Sequence, residues 1–310
     1  VTAKPRRIAL VGLGKIARDQ HVPAIAQSDD FDLVATVDPS SGGLGESAHF
    51  TSLDALLASE VAIDAVSLCT PPQWRRQLAL SAIAAGKHVL LEKPPGTTLA
   101  EAEGLRSAAE KAGTTLFAAW HSRYAAGVAP AREWLADKVV RSVAIVWRED
   151  VRVWHPGQAW IWRQGGFGVF DPGINALSIA TEILPHPLEV VGGKLQVPAN
   201  CAAPVSGQVV LRDNTGMPLS LDLDFLQTGP QTWDILVETD GGILKLSAGG
   251  SVLTLLEGET RAANREYPAL YTRFARLLVS GSSDIDLAPL RLVDEALERC
   301  TLQQVAEFHE

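Results

Sequence analysis

Between residues 7 and 120, short unbroken apolar runs alternate with stretches of helical periodicity. The runs at 7–12, 32–37, 64–69, 88–91 and 115–119 predict strands. The stretches at about 15–27, 52–58, 74–86 and 99–112 predict helices. Continuous apolar runs suit strands buried on both faces, and strand–helix alternation predicts a parallel sheet covered on both sides. Gly86 and Gly113 each follow a predicted helix, where a C-terminal glycine is expected. The pattern changes after about residue 122. A helix is predicted over 127–137 and a strand over 142–147, followed by strands at 188–197, 206–212, 218–226, 232–238, 242–247 and 252–256. Turn signals such as Asp213-Asn-Thr-Gly216 and Asp240-Gly-Gly242 separate several of these, which predicts a mostly antiparallel sheet. Two helices, at about 267–280 and 288–306, close the chain.

The run Ile8–Val11 breaks into Gly12-x-Gly14-x-x-Ala17, a strand, a tight turn and the opening of a helix. Gly12 permits the turn, Gly14 lets backbone approach a pyrophosphate, and Ala17 allows close helix–strand packing. The helix start supplies free N–H groups and a partial positive charge, and Lys15 and Ile16 of the same turn are assigned to the cofactor with the glycines. Asp38 ends the second predicted strand, where a carboxylate accepts hydrogen bonds from the adenosine ribose and repels a 2′-phosphate. Pro39, Ser40 and Ser41 offer no arginine for that phosphate, so NAD is expected, with NADP tolerated. The fold class that follows is α/β. An N-terminal Rossmann parallel sheet spans 1–122, and a C-terminal α+β domain with a mostly antiparallel open sheet spans 123–310, the active site being expected between them.

Thr70-Pro71-Pro72 and Glu92-Lys93-Pro94 follow the third and fourth predicted strands, at the sheet's carboxyl edge where cofactors bind. Charged, Lys93 would polarise a substrate oxygen; neutral, it would take a proton. In Gly165-Gly-Phe-Gly-Val-Phe-Asp-Pro-Gly-Ile-Asn175, Pro172 suits the first turn of a helix and places Asp171 at its N-cap, with Asn175 one turn on. Glu149, Trp154 and His155 lie around the end of the 142–147 strand, and Trp160-Ile-Trp162 follows. Flat aromatic faces beside a carboxylate and an imidazole suit a sugar, whose C–H faces stack and whose hydroxyls need polar partners. His121, after the fifth strand, is placed at the same cleft.

Composition narrows the class. The chain has 310 residues, 46% of them hydrophobic and 20% charged, with a net charge of −9. That charge argues against nucleic acid as a partner, because a phosphate backbone wants a basic face. No apolar stretch is long enough to predict a membrane span. Cys69, Cys201 and Cys300 are too widely spaced for a disulfide framework or metal site and read as reduced thiols of a cytoplasmic protein. The basic stretch Val1–Arg7 runs straight into the nucleotide-binding strand and is not read as a signal peptide. The seven histidines form no paired zinc motif, so no catalytic metal is expected.

Taken in order, Gly12-x-Gly14-x-x-Ala17, Glu92-Lys93-Pro94 and Asp171-x-x-x-Asn175 resemble the glucose–fructose oxidoreductase and inositol dehydrogenase (Gfo/Idh/MocA) family over essentially the whole chain. The common family pattern ends in Asp-x-x-x-His, and Asn175 replaces that histidine here. With Glu149-Asp-Val-Arg-x-Trp-His155, this narrows the resemblance to the aldose 1-dehydrogenase branch, which includes L-arabinose and D-galactose 1-dehydrogenases. The resemblance implies oxidation of a pyranose at its anomeric carbon to an aldonolactone. It implies that Lys93, Asp171 and Asn175 surround the reacting hydroxyl, with either Lys93 or Asp171 as base. Glu149 and His155 would hold other hydroxyls, and Trp154 and Trp233 would line the pocket. NADP-preferring relatives carry Ser-Arg where this chain has Asp38-Pro39. A small sugar substrate and a homo-oligomer, dimer or tetramer, through the exposed second-domain sheet are likewise implied. Cyclitol oxidation, keto-sugar reduction on the same scaffold, and a nucleotide-binding regulator without turnover are the alternatives.

Overall fold

Arg6–Val11, the apolar run before the glycine turn, forms the central strand β1 of a six-stranded sheet in a computed structural model of the chain, which describes residues 4–309. The other strands are β2 (Phe31–Val37), β3 (Ala48–Phe50), β4 (Ala65–Leu68), β5 (His88–Glu92) and β6 (Leu116–Ala119). All pair in parallel, in the order β3-β2-β1-β4-β5-β6. β4 and β6 are buried along their whole length, as is most of β1 and β5, which explains their unbroken apolar runs. Sequence patterning gave five strands; the three-residue β3 is too short and too polar to show a period. The order reverses between β1 and β4, and ligands of such sheets bind outside the carboxyl ends of strands at that point. Gly12 and Thr70 stand at those two ends and Lys93 at the end of neighbouring β5.

The helices of this sheet are cut where the sequence says. Thr98 caps the Leu99–Ala112 helix by accepting the Glu101 N–H, and Gly113 closes it in a left-handed conformation. The expected helix at 15–27 contains a π-turn over Ala17–His21 before continuing as Val22–Ala26, and the turn carries His21 into full burial.

The contacts of the chain divide it into two units. One unit runs up to Trp120 and includes Tyr267–Asp286; the other comprises His121–Glu266 and the chain from Leu287 onward. From Tyr267 on, the helix Glu266–Ser280 groups with the first unit because its aromatic face packs there. Phe274 stacks on Phe31 and Phe117 at centroid distances of 5.6 and 6.0 Å, and Asp284 bridges to Phe117 at the edge of the parallel sheet.

The second unit is built on nine strands: β7 (Val140–Arg148), β8 (Leu188–Pro198), β9 (Ser206–Asp213), β10 (Pro218–Asp224), β11 (Thr232–Thr239), β12 (Gly242–Ser247), β13 (Val252–Leu255), β14 (Gly258–Arg261) and β15 (Thr301–Val305). Their order is β14-β13-β12-β11-β7-β10-β9-β8-β15. Pairing is antiparallel except at β10–β7 and β15–β8. Burial alternates along β9 and β10, so one face carries the core and the other is polar. The helices Phe170–Ile183 and Ala288–Arg299 pack together, the first against β7 and the second against β8. The last element departs from the expected helix over 288–306. It ends at Arg299, Cys300 is extended, and Thr301–Val305 pairs in parallel with β8. The apolar helical period stops at Ala296, and Thr-Leu-Gln-Gln-Val is better satisfied by a ladder.

Candidate active site

The glycine turn gives a direct test of the expected dinucleotide. Gly12 has φ +88°, and a Cβ there would lie 2.9 Å from the backbone nitrogen of Thr70, so the turn itself demands glycine. Gly14 is different. It is not in the left-handed region, and a Cβ there would meet no protein atom within 4 Å. Nothing in the fold calls for glycine at 14, whereas a diphosphate approaching the helix start does. The Thr70 hydroxyl is buried with no partner among the described residues, a donor and acceptor open to a ligand at the same edge. Ile16 is 37% exposed within the turn, and Lys15 pairs with Asp19. Pro71, half-buried, precedes the Pro72–Ala84 helix.

Asp38 fastens this turn. One carboxylate oxygen accepts the Leu13 N–H at 2.8 Å, and the other accepts the N–H groups of Ser40 and Ser41, both at 2.8 Å. Partial burial pushes its pKa up, but the three backbone donors outweigh that and hold it below the usual carboxylate range. The turn-forming and ribose-binding readings are therefore compatible, because an oxygen with one donor still has a lone pair for a hydroxyl.

Behind Lys93 lies a buried polar network. Glu92 accepts hydrogen bonds from His21 at 3.0 Å and from the Tyr267 hydroxyl at 2.7 Å on one oxygen. Its other oxygen accepts the Lys93 backbone N–H at 2.8 Å. The second ring nitrogen of His21 lies 2.8 Å from the Tyr271 hydroxyl, which donates to Ser67. Burial opposes charge on His21, but the Cys69 sulfur, the Tyr271 oxygen and the Glu92 carboxylate outweigh it and hold its pKa well above the usual imidazole value. Glu92 is buried and supports the Lys93 peptide from inside the protein.

The second unit gathers four of the expected sugar-site residues. Glu149, 2% exposed at the end of β7, accepts the Trp233 indole N–H at 2.7 Å on one oxygen. Its other oxygen is 3.1 Å from His155 Nε2, and His155 Nδ1 is 3.7 Å from an Asp171 oxygen. Local structure explains the convergence. Asp150 caps the one-turn helix Val151–Trp154, which swings His155 back over Glu149, and Trp154 meets Trp233 at 4.8 Å between centroids. Trp147 stacks on Trp233 from below. The result is an imidazole between two buried carboxylates beside paired indoles. Asn175 is half-buried one turn beyond Asp171, and its amide makes no hydrogen bond among the described residues.

One expectation changes here. Asp171 is not an N-cap: the Phe170–Ile183 helix starts behind Val169 without a side-chain cap, which leaves Asp171 in the first turn and 4% exposed. Gly168, in a left-handed conformation and tight against Pro204, precedes the helix, and the Val169 N–H donates to the Pro204 carbonyl at 2.7 Å. Trp162, half-buried, packs on Phe225 and Phe308. His121 pairs with Glu266 at 2.6 Å. Sequence reasoning missed the network of His21, Tyr267 and Tyr271, together with Arg75; their signal is a polar residue buried within an apolar pattern, legible only once the pattern is folded. Among the described residues no three or more His, Cys, Asp or Glu side chains gather to hold a metal ion, and no helix is long and apolar enough to cross a membrane. The three cysteines are free.

Residues 6–120 match the family described as an oxidoreductase family with an NAD-binding Rossmann fold. The chain is 44% identical to a galactose 1-dehydrogenase of Pseudomonas fluorescens over 94% of its own length and 95% of that protein's. It is 26% identical to a D-apiose dehydrogenase of Paraburkholderia graminis over 87% and 75% of the two chains. The crystal structure of a D-galactose-1-dehydrogenase from Rhizobium etli matches with TM-score 0.95 and 48% identity, covering 100% of this chain and 99% of that one. A 3-ketoreductase from Actinomadura kijaniata crystallised with NADP shares the fold at TM-score 0.82 with 20% identity. With its nucleotide turn intact and likeness running from end to end, the chain belongs to the oxidoreductase family with an NAD-binding Rossmann fold.

Proposed function

We propose that this chain oxidises an aldopyranose of the galactose and L-arabinose type at C1 to the aldonolactone, with NAD favoured over NADP as hydride acceptor. The observation that carries the reading is the Trp233–Glu149–His155–Asp171 chain of contacts. Two carboxylates and an imidazole joined in line beside two indoles suit a polyhydroxylated ring, and end-to-end likeness to galactose 1-dehydrogenases supports the choice of sugar.

The cofactor supplies the hydride acceptor, and the residues supply orientation and a base. Gly12, Gly14 and the helix start after them hold the diphosphate, with Lys15, Ile16, Thr70 and Pro71 around it and Asp38 on the ribose. Glu149 and His155 grip sugar hydroxyls, and Trp154 and Trp233 pack the ring's C–H face. As the C1–H bond breaks and its electron pair leaves with hydrogen, the C1 hydroxyl loses its proton to Asp171, and the C–O bond becomes the lactone carbonyl. Lys93 polarises that oxygen and Asn175 orients it. His155, between Glu149 and Asp171, fixes the direction of the Asp171 carboxylate.

Galactose and L-arabinose differ by one hydroxymethyl group, so discrimination between them is small, of the order of 1–3 kcal/mol. Oligomerisation through the polar face of the second sheet, and a cytoplasmic location, belong to the same reading. Initial rates with NAD and NADP against D-galactose, L-arabinose, D-xylose and D-glucose test it. Sugar-dependent reduction of NAD with lactone as product is expected; activity only with inositols or keto-sugars would replace the reading.

A further inference from the structure

Arg75 is the fourth residue of the Pro72–Ala84 helix and is 5% exposed. A cation there faces the positive end of the helix dipole and has lost most of its water, both unfavourable. Its hydrogen bonds show what offsets this. Arg75 Nε donates to the Thr70 carbonyl at 2.8 Å, and Nη1 donates to the Glu92 carbonyl at 2.8 Å and to the Pro94 carbonyl. The guanidinium therefore ties the loop after β4 to the loop after β5. The two β5-loop carbonyls that it holds belong to the residues on either side of Lys93. The N–H of Lys93 itself is bound by the Glu92 carboxylate, which His21 and Tyr267 hold in turn.

We propose that Arg75 is a positioning residue for Lys93. It holds the carbonyls of the two residues that neighbour the lysine and sets them in register with the Thr70 loop, so that the ammonium keeps one geometry. The inference rests on the reading above, in which Lys93 acts on the sugar hydroxyl. Only a planar fork reaches carbonyls of both loops at once; a lysine at 75 keeps the charge but satisfies fewer of them. Helix formation asks nothing of this residue, since the helix already starts at Pro72 behind Pro71.

Two readouts on the full chain test the clamp, one without turnover. In amide hydrogen exchange followed by mass spectrometry, Arg75→Met should speed exchange of the Lys93 amide about tenfold or more, Arg75→Lys should fall between it and wild type, and the amides of Val89–Leu91 should stay protected. In steady-state kinetics with NAD and D-galactose, Arg75→Met should lower kcat by about a hundredfold, the scale of a displaced catalytic group, while leaving the sugar KM nearly unchanged. Arg75→Lys should recover part of the loss. In a Lys93→Met background, Arg75→Met should cost nothing further in kcat, because it acts through the residue already removed. Unchanged exchange at Lys93, or kinetic costs that add, would overturn the proposal. So would wild-type kcat in Lys93→Met. If Arg75→Met fails to fold, Arg75→Lys carries both readouts. If wild type oxidises no sugar, the proposed function fails by itself, and the exchange measurement still decides whether Arg75 clamps the loop.

Discussion

Replacing Gly14 by alanine should separate a ligand's demand from the fold's. A Cβ at 14 meets no protein atom within 4 Å, and the backbone there is not left-handed. Stability should therefore stay within about 0.5 kcal/mol of wild type, and the narrower unfolded ensemble of alanine would even favour folding slightly. The methyl would occupy the space through which a diphosphate reaches the backbone N–H groups. Losing one hydrogen bond to a charged group costs about 1.5–3 kcal/mol. At about 1.4 kcal/mol per factor of ten, NAD should bind roughly ten- to a hundredfold more weakly. Gly12→Ala provides the contrast. Its φ of +88° and a 2.9 Å approach to Thr70 mean strain in the turn itself, so it should lower stability by about 2 kcal/mol or more whether or not NAD is present. Thermal unfolding gives the stabilities, and calorimetric titration with NAD gives the affinities. Unaltered NAD affinity in Gly14→Ala, or a large loss of its thermal stability without ligand, would refute the assignment of this turn to the diphosphate.

Asp171→Asn should lower kcat by about a hundredfold or more, the usual worth of a positioned base, with the far-ultraviolet circular dichroism unchanged. Glu149→Gln should raise the sugar KM and weaken the hold on His155, leaving the NAD affinity alone; equal effects on both would contradict its place in the sugar group. His21 has a raised pKa, so the stability its charged form contributes is full below the unfolded imidazole value of about 6.5 and is lost as pH rises through the folded one. Unfolding midpoints measured across that window should fall in wild type and stay flatter in His21→Gln. Asp38→Ser combined with Pro39→Arg should shift kcat/KM toward NADP by about tenfold or more, while costing stability through the three lost backbone partners.

The parallel sheet was legible because its strands are buried on both faces and leave unbroken apolar runs, and the glycine turn was legible because backbone conformation limits residue choice. The pairing of Glu149 with His155 was foreshadowed by six residues of spacing around one strand end. The contribution of Trp233, 84 residues from Glu149, entered only through family resemblance, since β11 pairs with β7 across a long stretch of chain. Asp171 was misplaced because Asp-Pro has the look of a cap, while the helix starts before it, at Phe170 behind Val169. The grouping of the Glu266–Ser280 helix with the parallel sheet, and the buried roles of His21 and Arg75, stayed hidden. Local pattern records how amphipathic a segment is, and long-range packing decides what it covers. The last strand was lost for a related reason: Thr301–Val305 is exposed along most of its length, so no buried face marks it.

Incubating the purified chain with NAD and D-galactose while following reduced nicotinamide and identifying the product is the most direct test. One reduced cofactor per sugar is expected, with galactonolactone or its hydrolysed acid as product and L-arabinose also accepted. No sugar-dependent reduction of NAD or NADP across an aldose panel, by a protein that still binds the dinucleotide, would contradict it.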